Sequence, residues 1–128
     1  MPDIAATEEA SAKEIDRYEK AYRETRNTLN ESIEALMILE EFETSSAMRD
    51  QLALKRQALE ASRDDLVRAN IAFYAGKSTM APPSPALVAD IVALSRKAVE
   101  LTVAKATAAA ALQLATSALN KFAQIQDI

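Results

Sequence analysis

Four consecutive residues, Gly76, Lys77, Ser78 and Thr79, have the order that closes a phosphate-binding loop, in which backbone N–H groups and a lysine gather around phosphate oxygens. The full loop needs another glycine five residues earlier, where this chain has Ile71. It also needs a strand before it and a helix after it, so that the N–H groups converge on the anion. Pro82 and Pro83 follow instead, and the segment reads as a helix stop running into a linker. Glu31, Glu34 and Glu41 fall at helical spacing, as in bundles that hold paired metal ions. Those centres draw on Glu-x-x-His pairs, and the chain contains no histidine. It contains no cysteine either, which removes disulfides, thiolate ligands and cysteine nucleophiles. Acid–base or nucleophilic work would fall to Asp, Glu, Lys, Ser or Tyr, and none stands in a recognisable arrangement. No catalytic residue, cofactor-binding residue or metal ligand is assigned, and the chain is expected not to be an enzyme.

The elements that carry these residues are helices. The chain has one glycine, four prolines and 5% aromatics, and no stretch alternates apolar and polar residues with β-branched enrichment. An all-α fold is expected, and 128 residues make one helical domain, 1–128. Residues 1–75 carry 16 acidic and 10 basic groups, whereas 76–128 carry 3 and 5, so an acidic half precedes a slightly basic one. A net charge of −4 without clustered Lys and Arg makes nucleic acid an unexpected partner. Residues 1–12 lack the basic flank and apolar core of a secretory signal, which predicts a cytoplasmic protein and leaves export by another route open.

Thr7, followed by Glu8 and Glu9, marks the expected start of a first helix over about 7–43. Its seam is Ile15, Tyr18, Tyr22, Thr25, Leu29, Ser32, Leu36 and Leu39, stepping by three and four in the coiled-coil manner. Beyond Phe42 that phase would turn Glu43, Ser46 and Asp50 inward, while the next apolar residues, Met48, Leu52, Leu59, Leu66 and Phe73, follow another register. The change of phase predicts a turn over 43–46, with Thr44, Ser45 or Ser46 capping a second helix over about 46–75, rather than one bent rod. Residues 1–75 thus form an acidic helical hairpin, and 76–84 a loop. Tyr18 and Tyr22 are expected to pack in the core, whereas Lys55 and Lys105 fall at seam positions where a lysine must snorkel.

Ser84 caps and Pro85 opens a third helix, expected to run unbroken over about 85–125 because no glycine or proline interrupts it. Two apolar stripes run along this alanine-rich stretch. One contains Leu87, Ile91, Leu94, Ala98, Leu101, Lys105, Ala108, Leu112, Ala115, Leu119 and Phe122, and the other Val88, Val92, Val99, Val103, Ala106, Ala110 and Leu114. A helix apolar on two sides needs two neighbours. The expected architecture is an antiparallel three-helix bundle of long, coiled-coil-like helices, one end of which lacks a third helix because the second is the shortest. The second stripe is the candidate interaction surface, for self-association or for another protein. The expected function is a non-catalytic protein–protein interaction protein, such as an adaptor, chaperone or neutralising partner, that acts through apolar helix packing. An alternative places Leu101–Leu119, 19 residues with Lys105 as their one charge, in lipid or in a polymer, as a membrane-active or exported assembly subunit would.

Overall fold

A computed structural model describes the backbone of residues 4–103 and 107–126 and the side chains of residues 12–100 and 107–126. Among the described residues the chain is helical without strands, in four helices: α1 (Ile4–Phe42), α2 (Ser46–Tyr74), α3 (Pro85–Val103) and α4 (Ala108–Phe122). The first starts before Thr7, which therefore lies inside α1 and does not cap it.

The turn between α1 and α2 has no glycine or proline, and its own side chains satisfy it. Ser45 sits in extended backbone and its hydroxyl accepts from Met48 N at 3.4 Å, which caps α2. The Glu43 carboxylate accepts from Ser45 N at 3.0 Å, and Arg49 Nη2 donates to the Glu43 carbonyl at 2.7 Å. Each contact takes up a backbone group that a helix end leaves unpaired. At the other end of α2, Gly76 adopts φ +73°, its N–H reaches Phe73 O at 3.1 Å, and Lys77 N reaches Ala72 O at 2.8 Å. This pair of bonds is the Schellman termination. Ser84 Oγ then accepts from Leu87 N at 3.1 Å and starts α3.

The unbroken third helix is corrected by the structure. α3 ends at Val103, and Thr107 begins a new helix with φ −83° and ψ 155°, its side chain accepting from Ala110 N at 3.2 Å. The chain then doubles back, bringing Lys121 Nζ within 3.5 Å of Asp90 Oδ2. Alanine's helix propensity favours continuing the rod, and tertiary packing overrides it. An apolar stripe on a 41-residue rod must find cover along its whole length, whereas the folded form covers each half with the other. Ala98, Ala115 and Phe122 from the first stripe, with Ala111 and Ala118 beside them, are buried this way. Their small side chains let the backbones approach closely. Lys105 and the side chains of residues 101–106, the first part of Leu101–Leu119, lie outside the described residues.

The result is a four-helix arrangement in place of the expected three-helix bundle, with α1 as its spine. Polar pairs fix the directions. Arg56 bonds to Glu40, Arg63 to Asn30 and Tyr74 to Glu19, so α2 runs antiparallel to α1. Arg17 bonds to the Pro83 carbonyl and Asn27 to Ser95, so α3 runs parallel to α1. α4 returns antiparallel to both. The helices α1, α3 and α4 pack mutually, whereas α2 lies along α1, touches α4 slightly, and does not touch α3 among the described residues.

That one-sided contact explains the pattern of α2. Leu52, Leu59 and Leu66 are buried at strict seven-residue spacing, one residue wide. Lys55, expected at the seam, is exposed because α2 has one main neighbour and needs no second row. Beside the leucines, Arg56, Arg63 and Asn70 repeat with the same spacing and reach Glu40, Asn30 and Tyr18 on α1. An apolar row and a polar row together set the register of the hairpin.

Candidate functional site

The residues that suggested chemistry have structural work. Gly76 supplies the left-handed turn, and Ser78 Oγ accepts from Gln126 Nε2 at 2.8 Å, so the 76–79 segment closes a helix and anchors the turn that follows α4. No helix N-terminus follows it directly. Glu34 and Glu41 are exposed on α1, and among the described residues no three acidic groups converge as a metal site would require.

Five of the six aromatic residues gather where α1, α2 and α4 meet. The Tyr18 ring lies 4.4 Å from Phe73 and 5.8 Å from Phe122 between centroids, with Tyr22 and Tyr74 at the edges. The Tyr18 hydroxyl, fully buried, donates to Gln126 Oε1 at 2.6 Å, and the Asn70 side-chain amide lies 3.0 Å from the Tyr18 hydroxyl oxygen. One phenol proton serves one acceptor, so the Asn70 amide is satisfied when turned to donate. Gln126 Nε2 completes the knot with Ala69 O at 2.6 Å. Burial, then the nearby Tyr74 and Tyr22 phenols, push the ionisation of Tyr18 far above its ordinary range. Burial, and next the hydrogen bond to Glu19, push Tyr74 up to about 12. Both phenols stay neutral at physiological pH, which suits packing and not base catalysis.

The candidate interaction residues do not share one environment. Val88 is buried in the core, Val92, Ala110 and Leu114 are half-buried, and Val99 is exposed at 45%. The side chains of Val103 and Ala106 lie outside the described residues. Folding α3 against α4 split the stripe to which all seven belonged.

A different apolar surface stands open at the far end of the α1–α2 hairpin. Asn27 on α1 is level with Ser95 on α3, and about eight residues further along both helices α3 ends while α1 continues. The remaining turns of α1 and the first turns of α2 project as a two-helix tip. Phe42 is 76% exposed there, and Met37, Met48 and Ile38 are also exposed. A cleft of about 670 Å³ runs beside them, lined by Glu34, Met37, Ile38, Glu41 and Arg49. Glu40 and Arg56 complete the lining as a bonded pair, and the bonds of Arg56 to Glu40 and Glu60 hold it more firmly protonated than usual. Glu34 and Glu41 have no cationic partner among the described residues. Sequence reasoning expected an uncovered end where the shorter second helix falls away, whereas the open end is formed by α1 and α2 because α3 stops at Val103. The available signal was Phe42 itself, an aromatic set among Glu40, Glu41 and Glu43.

A second concave surface lies between α1 and α3. Val88, Ala89 and Val92 form its floor, Arg17, Lys20 and Arg96 form its rim, and it encloses about 460 Å³. No carboxylate lines it. Its residues come from segments more than sixty positions apart, and nothing in the linear pattern joins them. Among the described residues no helix is long and apolar enough to cross a membrane. Compared with protein-family models, with curated proteins and with solved structures, the chain matches none of them.

Proposed function

We propose that the chain is a non-catalytic interaction protein that binds through apolar helix packing at the α1–α2 tip. The observation that carries this reading is the uncovered tip, where Phe42, Met37, Ile38 and Met48 face solvent beyond the reach of α3 and α4. Adjacent large apolar side chains on two rigid helices lose little conformational entropy when covered, and their burial drives association. The carboxylates around them act on specificity and encounter rate more than on affinity.

Light scattering across a wide concentration range, with Phe42→Asp and Val99→Asp beside the parent, tests where the binding surface lies. Loss of association in the Phe42 variant alone, with helical content unchanged, supports the tip. Loss in the Val99 variant alone returns the surface to the outer face of α3. A parent that stays monomeric is tested instead for capture of a defined partner, by the same two variants.

The rival reading, insertion of Leu101–Leu119 into lipid, is weakened by the burial of Ala111, Ala115 and Ala118, since the α3–α4 hairpin must open before that stretch meets a bilayer. The acidic groups around the tip also disfavour an anionic membrane surface. Flotation with phosphatidylcholine/phosphatidylserine vesicles tests it, and co-flotation with release of vesicle contents would favour insertion.

A further inference from the structure

We propose that the partner of the tip is a second copy of this chain, whose α1–α3 groove receives it, so that copies assemble head to tail. The proposal rests on the reading of the tip as a binding surface and adds its occupant. The two surfaces are complementary in sign and character. The tip presents Phe42, Met37 and Ile38 with Glu34 and Glu41 beside them, while its two arginines are engaged, Arg56 by Glu40 and Arg49 by the Glu43 carbonyl. The groove offers a floor of Val88, Ala89 and Val92 under a rim of Arg17, Lys20 and Arg96. Alanine in the floor leaves room for an aromatic ring. Arg17 Nε is held by Pro83 O at 2.8 Å, which fixes one cation at the groove's edge before any partner arrives. Lys20 and Arg96 have no carboxylate partner among the described residues, so docking breaks no existing ion pair there.

Tip and groove are different patches, one at the end of α1 and the other beside its middle turns. When the tip of one copy seats in the groove of the next and its own groove is left for a third, the contact is heterologous. Copies add in one direction, giving open chains or a ring, and the mean mass climbs with concentration without stopping at a dimer.

Two charge-reversed proteins test this by sedimentation velocity. One carries Glu34→Arg and Glu41→Arg at the tip, the other Lys20→Glu and Arg96→Glu at the groove. All four positions are exposed, so folding, checked by circular dichroism, is retained. Each variant alone places like charges at every junction, and its apparent association constant falls at least about tenfold. Mixed in equal amounts, the basic tip of one meets the acidic groove of the other, and the acidic tip meets the basic groove, so assembly returns. Return on mixing is the expected result. A parent that is monomeric throughout, variants that assemble like the parent, or variants that stay apart when mixed would each overturn the head-to-tail contact. If Phe42→Asp still abolishes association when the charge reversals do nothing, the tip stands as a binding surface and only its proposed seat is lost.

Discussion

The Tyr18 phenol donates to Gln126 Oε1 at 2.6 Å across 108 positions of chain, tying the middle helix of the fold to its last described residue. Gln126 in turn holds α2 through Ala69 O and the linker through Ser78. Tyr18→Phe leaves the Gln126 acceptor buried and unpaired and should cost about 1–2 kcal/mol in urea unfolding. Gln126→Ala should cost a similar amount. The double variant should lose less than the sum, because the two residues share one bond.

The same phenol predicts an alkaline limit to stability. Tyr18 ionises well above its ordinary range when folded, and Tyr74 at about 12, whereas both ionise near 10 when unfolded. Above pH 10 the unfolded chain therefore binds fewer protons than the folded one, and the contribution, complete below pH 10, is lost as pH rises. Urea midpoints measured between pH 8 and pH 11 should fall above about pH 10, and less steeply in Tyr18→Phe. An equal slope in that variant would contradict the assignment.

Gly76 is required for its backbone angle and not for space. An added Cβ meets nothing within 4 Å, but φ is +73°. Gly76→Ala should destabilise by about 1 kcal/mol, and Gly76→Asn by less, since asparagine tolerates the left-handed region. Thermal midpoints of the two variants check the order.

Thr107 is the cap that lets the chain begin again as α4. Thr107→Ala removes the acceptor for Ala110 N and supplies a better helix former at the break. It should cost about 1 kcal/mol. If far-UV circular dichroism also shows added helix at unchanged stability, the packing of α3 against α4 is weaker than the structure implies.

Much of the fold is legible in the sequence where local chemistry decides it. The phase change after Phe42, the serine caps at Ser45 and Ser84, and Gly76 before two prolines mark ends that the backbone honours. That α3 ends at Val103 and Thr107 starts a new helix is not legible, because the cause is not local. No glycine or proline stands there, and alanine argues for continuation. What bends the chain is the burial available when Ala111, Ala115 and Ala118 meet α1 and α3. The same event dispersed the stripe from Val88 to Leu114, a reading that assumed one rod. Phe42 could have been noticed, whereas Arg17, Lys20 and Arg96 become neighbours only through tertiary structure.

Everything argued for the tip depends on α3 and α4 folding back and leaving it bare. The chain has no cysteine, so Asp90→Cys and Lys121→Cys accept spin labels at two known places. In the structure the native side chains at these positions are 3.5 Å apart. Pulsed dipolar spectroscopy, with labelled protein diluted into excess unlabelled chain, measures their separation within one molecule. The account predicts a short distance, set by helix axes roughly 10 Å apart. A distance near 46 Å, about 31 residues at 1.5 Å each, would mean one continuous helix and would contradict it.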